Sequence, residues 1–351
     1  MARIPDHPSI RAHCTRPSEW RQNPTTGDWV VIAPVRSAKP DLNEPKPEPP
    51  AATEDCPFCA GQEHQTSEEL LAFRETGLLA NGPSWRVRVV PNAYAAVSHA
   101  GNADVEGQGL FKRANGFGRH ELFIECPHHE TNLARLSVQQ VREVVLAWRD
   151  RLIDASRSPE LKYAQLFKNH GPDAGASVPH AHSQMIASPL IPAVLQKELD
   201  FAHHYFREHN RCIYCDLLLR EKASGDRQVF ETNEYSVISA YAARQPFETW
   251  IVPKLHHSQM ESIARPEADA LGTVLWTLLQ VLVTALEEPS YNLVFHSGPF
   301  HQAPLPHYHW HVEVLPRMMQ LAGYEWGTGA HVNPVLPEDA ATVLRQTIMD
   351  H

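Results

Sequence analysis

The segment Val178–Ala187, VPHAHSQMIA, carries His180, His182 and Gln184 at every second position. In extended backbone alternate side chains share a face, so these three point one way while Ala181, Ser183 and Met185 point the other. A neutral imidazole is a competent nucleophile near pH 7. Its attack on phosphorus gives a phosphoramidate that a second nucleophile discharges, which divides one difficult transfer into two easier ones. His182 is the candidate nucleophile. Gln184, with Ser177 and the backbone amides of residues 173–177, offers hydrogen-bond donors for phosphate oxygens where charge builds up. The plainer alternative is a polar strand face open to water, and the rest of the chain has to decide between the two.

Six cysteines include two C-x-x-C pairs, Cys56 with Cys59 and Cys212 with Cys215. The N-terminus lacks the apolar core of a signal peptide, which favours metal ligation over disulfides. Thiolates at this spacing reach two corners of a tetrahedral zinc site. His129 and His180, each flanking a predicted strand, are candidates for the other two corners, and buried free thiols are the alternative reading.

The chain has 351 residues, 42% of them hydrophobic, enough for one large domain or two of ordinary size. Its formal charge is −10, with no cluster of Lys and Arg, which argues against binding a nucleic-acid polymer. Small anionic ligands need only a local positive site. With no run of about 18 apolar residues, the expectation is a globular, cytoplasmic chain without a membrane segment.

The elements that must hold these residues occur twice. CPFC, HELFIEC, a helix and AQLFKN…PHAHSQMIA in the first half are answered by CIYC, FETWIVP, a helix and YNLVFH…PHYHWHVEV in the second. Aligned in this way, Cys56 pairs with Cys212, Cys59 with Cys215, His128 and His129 with His256 and His257, Asn169 with His296, and His180 and His182 with His307 and His309. A helix is expected from Ser137, with Gln140 completing a capping box, and its counterpart opens at Pro266. Further helices are expected over about Pro192 to His209 and from near Pro337, and the Pro-rich stretch 37–55 reads as an extended loop. The fold class is α+β, two fused units over 1–190 and 191–351, each an antiparallel sheet with flanking helices. By this alignment Cys212 and Cys215 with His257 and His307 make a second metal site, and His309 stands for the nucleophile.

GASVPHAHSQMIA resembles the His-x-His-x-Gln signature of the galactose-1-phosphate uridylyltransferase branch of the histidine-triad superfamily. RQNPTTGDWVVIAPVRSAKP, CPFC, PFETWIVPKLHH, HSGPF and AGYEWGTGAHVNP resemble that branch too, over nearly the whole chain. The resemblance implies two fused histidine-triad units and an enzyme, a nucleotidyltransferase in which His182 takes a nucleotidyl group from a nucleoside diphosphate sugar and passes it to a sugar 1-phosphate. It implies that Gln184 and Ser177 contact phosphate, that Asn169 and Asn92 lie near the nucleotide, and that Cys56, Cys59, His129 and His180 bind structural zinc. It also implies a second metal, zinc or iron, at Glu198, His296 and His311, with Glu313 where members of the branch have histidine. A homodimer is implied as well, and sugar contacts are expected near Tyr324, Glu325 and His331. The first activity it implies is ping-pong uridylyl transfer from UDP-glucose to galactose 1-phosphate. HSQ and GYEWGTGAHVNPVLPED resemble ADP-glucose phosphorylases equally well, in which an adenylyl group passes to phosphate. Hydrolysis and a non-catalytic, zinc-stabilised nucleotide-binding role complete the set of alternatives.

Overall fold

The computed structural model describes residues 3–38, 56–302 and 304–350, so most of the Pro-rich stretch lies outside the described residues. Ten strands form one antiparallel sheet: β1 Leu71–Arg74, β2 Trp85–Pro91, β3 Arg119–Ile124, β4 Tyr163–His170, β5 His182–Ser188, β6 Gln228–Glu231, β7 Tyr235–Ser239, β8 Thr249–Pro253, β9 Tyr291–His296 and β10 His311–Pro316. Their spatial order is β6-β7-β8-β10-β9-β4-β5-β3-β2-β1. Read outward from the centre, β4-β5-β3-β2-β1 mirrors β9-β10-β8-β7-β6, so the sequence repeat is also a repeat of strand order. The two sheets expected of the halves join edge to edge, where Asn292 of β9 pairs with Asn169 of β4.

One face of this sheet is covered by α1 (Val138–Ser156) and α4 (Arg265–Leu286). Val141, Val145, Trp148 and Leu152 of α1 and Leu271, Leu275, Leu278 and Leu282 of α4 recur at helical spacing and are buried against Phe123, Leu166, Met185, Leu293 and Val312 of the strands. Burying each such side chain contributes about 1.5–3 kcal/mol, which makes this layer the main support of the sheet. Ser137 caps α1 as expected, its hydroxyl accepting the Gln140 N–H at 3.2 Å. The Gln140 side chain does not close a capping box. Its amide donates instead to the carbonyls of Arg86 at 2.7 Å and Glu125 at 2.6 Å, tying the helix to the strands.

Pro192 precedes α2 (Ala193–His209), and Pro337 opens the last helix, α5 (Pro337–Met349). An unexpected helix, α3 (Ile213–Ser224), begins inside CIYC, with Cys212 as its N-cap residue. Its buried positions, Ile213, Tyr214 and Glu221, do not recur every three or four residues, so no periodic signal announces it. At 22 residues, α4 is long and apolar enough to span a membrane by length and composition alone, although Thr273, Thr277 and Gln280 interrupt it, so it holds no run of about 18 apolar residues. Ten of its residues are buried in this core.

Helices α1 and α4 approach so closely at Gly272 that a Cβ there would lie 2.7 Å from the Arg142 Cα. Gly272→Leu is expected to destabilise the protein by about 1–3 kcal/mol, because overpacking outweighs the better helix propensity of about 1 kcal/mol. Denaturant titration of the two proteins measures the difference.

Candidate active site and metal centres

Strand β5 begins at His182 and lies between β3 and β4. Its register pairs His182 with Ile124, and Gln184 with Leu122 on one side and Phe167 on the other. The opposite face is core: the Trp148 indole N–H donates to Ser183 Oγ at 2.7 Å, and Met185 is fully buried. Beneath the site, buried Lys168 donates to Glu125 at 2.7 Å and to the His182 carbonyl at 2.9 Å, which anchors the start of the strand.

The His182 imidazole is buried, with Nδ1 2.7 Å from the His180 carbonyl oxygen. A carbonyl can only accept, so Nδ1 carries the proton and Nε2 keeps its lone pair. Burial, followed by the nearby Lys168 ammonium, pushes the His182 pKa down to about 4 against the opposing pull of the His180 carbonyl. The ring is therefore neutral at pH 7. Phe58 packs 5.6 Å from it and 5.9 Å from His180, ring centre to ring centre.

Gln184 and Asn92 meet, the Asn92 amide nitrogen lying 3.3 Å from Gln184 Oε1. Asn169 sits two residues along β4 from the partner of Gln184, and its side-chain Oδ1 accepts from the Asn292 amide at 2.8 Å. Ser177 is exposed on the loop that leads to His180, and no hydrogen bond among the described residues ties it to the others. One neighbour escaped the sequence reading: His120 on β3, with Nε2 2.9 Å from Gln184 Oε1. Its alternation with Leu122 and Ile124, whose partners are Gln184 and His182, is the signal that marks it.

The ligand atoms of Cys56, Cys59, His129 and His180 lie within 4.8 Å of one another. Sulfur to Nδ1 distances are 3.4 Å for Cys56–His180, 3.6 Å for Cys59–His129 and 3.8 Å for Cys59–His180. A zinc tetrahedron with Zn–S of about 2.3 Å and Zn–N of about 2.0–2.1 Å has an S···N edge of about 3.6 Å, so this donor set is compatible with zinc. His180 Nε2 lies 3.0 Å from the Cys126 carbonyl, the outer contact that orients a ligating ring.

A second group of the same form joins Cys212, Cys215, His256 and His309, with Cys215 Sγ 3.5 Å from His256 Nδ1 and 3.7 Å from His309 Nδ1. This corrects the expected His257 and His307. His257 faces Glu267 at 3.2 Å, and His307 packs on His203. For His307 the cause is register. His296 pairs with His311 and Val294 with Glu313, while Phe167 pairs with Gln184. Counted between these paired positions, Val294 to Glu313 spans two residues more than Phe167 to Gln184 (19 against 17), so His309 matches His180, His311 matches His182 and Glu313 matches Gln184.

Glu198, His296 and His311 form a third group within 4.8 Å, and Glu313, expected beside them, is not part of it. Glu313 pairs with Arg244 and lies 3.2 Å from His296 Nε2, while His296 Nδ1 lies 2.9 Å from Glu198. Burial alone would push His296 down, but the flanking Glu198 and Glu313 carboxylates hold its pKa up to about 10. A protonated His296 and Arg244, itself 3.1 Å from Glu248, thus balance much of the negative charge of this buried group.

The profile of galactose-1-phosphate uridyl transferase, N-terminal domain, matches residues 11–192, and that of the C-terminal domain matches residues 198–349. The chain is 33% identical over 336 residues to ADP-glucose phosphorylase of Arabidopsis thaliana, covering 93% of this chain and 92% of that one. It is 29% identical over 343 residues to galactose-1-phosphate uridylyltransferase of Thermotoga maritima, covering 94% and 98%. A crystal structure of an ADP-glucose phosphorylase from Arabidopsis thaliana with bound ADP-glucose superposes with a TM-score of 0.79 at 31% identity, covering 94% of this chain and 98% of that one. Because both domain profiles match in order over nearly its whole length, the chain belongs to the galactose-1-phosphate uridylyltransferase family.

Proposed function

We propose that the protein is a nucleotidyltransferase that carries a nucleoside monophosphate on His182. The observation that bears most weight is the buried, neutral imidazole whose Nδ1–H is held by the His180 carbonyl at 2.7 Å. In the first step Nε2 attacks the α-phosphorus of a nucleoside diphosphate sugar. The bond from that phosphorus to the bridging oxygen breaks, and sugar 1-phosphate leaves. In the second step a phosphate oxygen of the acceptor attacks the same phosphorus, breaks the P–N bond and returns His182 to its starting form. The carbonyl acceptor at Nδ1 stabilises the positive charge of the nucleotidylated ring. Gln184, Asn92, Asn169 and the exposed Ser177 are the donors we assign to phosphate and nucleotide.

Two donors fit this route. Uridylyl transfer from UDP-glucose to galactose 1-phosphate is supported by the Thermotoga maritima relative at 29% identity. Adenylyl transfer from ADP-glucose to phosphate has the higher identity on its side, 33% to the Arabidopsis thaliana phosphorylase. In our reading the first half does the chemistry and the second has lost it. Glu313 stands where Gln184 does, and an ionised carboxylate has no N–H to give a phosphate. Cys56, Cys59, His129 and His180, and likewise Cys212, Cys215, His256 and His309, would hold zinc. In the first site its contribution is structural, fixing the loop whose His180 carbonyl orients His182. Glu198, His296 and His311 are the candidate residues for a further zinc or iron ion.

Intact-mass analysis after separate incubation with UDP-glucose and ADP-glucose, without acceptor, is expected to show one covalent nucleotide that peptide mapping places on His182. The mass, UMP or AMP, identifies the donor, and no adduct with either sets the covalent reading aside. His182→Asn is expected to abolish the adduct and turnover while metal content stays unchanged. Cys56→Ser and Cys215→Ser are each expected to remove about one equivalent of metal and lower the melting temperature, since ligation is linked to folding. Unaltered zinc by elemental analysis takes the substituted cysteine out of the ligand set.

A further inference from the structure

We infer that His120 is a positioning residue for the transfer step, fixing which end of the Gln184 amide faces the phosphate. The inference rests on the reading of His182 as a covalent nucleophile.

A backbone N–H can only donate, so its polarity admits no choice. The Ala96 N–H donates to His120 Nδ1 at 3.0 Å. In the neutral ring Nδ1 then holds the lone pair and Nε2 the proton. Nε2 lies 2.9 Å from one end of the Gln184 amide, which must therefore be the acceptor, Oε1. Asn92 is fixed in the same way: its Oδ1 accepts the Tyr94 N–H at 2.9 Å, which turns its NH2 to the same Gln184 oxygen at 3.3 Å. Asn92 Nδ2 and His120 Nε2, 3.1 Å apart, are two donors converging on one acceptor. Flipping the Gln184 amide would bring its NH2 against both.

The NH2 end of Gln184 has no hydrogen-bond partner among the described residues, and the residue shares its strand face with His182 two positions away. Two N–H donors are thus set in advance towards the region where a phosphate bonded to His182 gathers charge. The second half shows the contrast. By strand register Glu248 and Glu313 occupy the places of His120 and Gln184, and Arg244 bridges the two carboxylates. The donor-to-carbonyl pair belongs to the half that carries His182.

Single-turnover formation of the His182 adduct tests the inference. Losing one such donor outright costs about 10²–10³ in rate, so His120→Leu is expected to slow adduct formation roughly 10–100-fold. Donor affinity should shift less than about threefold and metal content should be kept, because only the charge-developing step uses the oriented amide. His120→Gln, which keeps an N–H at similar reach, is expected to recover most of the rate. On a Gln184→Ala background His120→Leu should add no further loss, since the two act as one unit. A full additional loss there, or a His120→Leu rate equal to that of the unmodified protein, overturns the inference. Nitrogen-15 NMR of the unmodified protein provides a readout that needs neither adduct nor variant. A neutral His120 protonated on Nε2 is expected, and protonation on Nδ1 overturns the inference whether or not His182 proves to be nucleotidylated.

Discussion

Everything at this site depends on the register of β5 between β3 and β4. Side chains alternate along a strand, so a slip of one residue would turn His182 and Gln184 into the helix layer and bring Ser183 and Met185 out. The register is locked from the buried side, where Met185 and Ala187 pack in the core and the Trp148 indole holds Ser183. It is locked again at the start of the strand, where Lys168 spans Glu125 and the His182 carbonyl. The reactive face is held by interactions on the face that does no chemistry. This division explains how a buried imidazole can keep a defined tautomer.

The duplicated frame holds two kinds of chemistry on one sheet. Both halves keep a pair of cysteines and two histidines at matching places, the second set opening a helix with Cys212. They diverge at the strand positions that follow. Asn169 and Gln184 can donate to a phosphate. Their counterparts His296 and Glu313 lie in a buried network with Glu198 and Arg244. A buried charge has to be paired, and where the first half has neutral amides the carboxylate and imidazole of the second lie against a guanidinium and a further carboxylate.

Much of the fold was legible from periodicity. The apolar stripes of α1 and α4 and the β-rich runs on either side of them repeat in both halves, and the strands and helices formed where those patterns lie. The errors have separate physical causes. The two-residue offset between the β4–β5 and β9–β10 connections lies in loops, where insertions cost little, so the order of the histidines along the chain pairs His180 with His307 instead of His309. Helix α3 is short and lacks an apolar stripe. The Gln140 side chain found two carbonyls, one in β2 and one just past β3, that no local pattern predicts.

The sequence by itself determined the chemistry available: the alternating His-x-His-x-Gln, the paired cysteines, the duplication, and an α+β architecture with helices packed on antiparallel strands. These follow from residue type and from periods of 2 and 3.6, which are local properties of the chain. Only the tertiary structure decided which histidines join which cysteines, that the two sheets are one, that His120 reaches Gln184 and that Arg244 reaches Glu313. Those contacts join residues 64 and 69 positions apart, and they depend on strand pairing and loop length, which no local window contains.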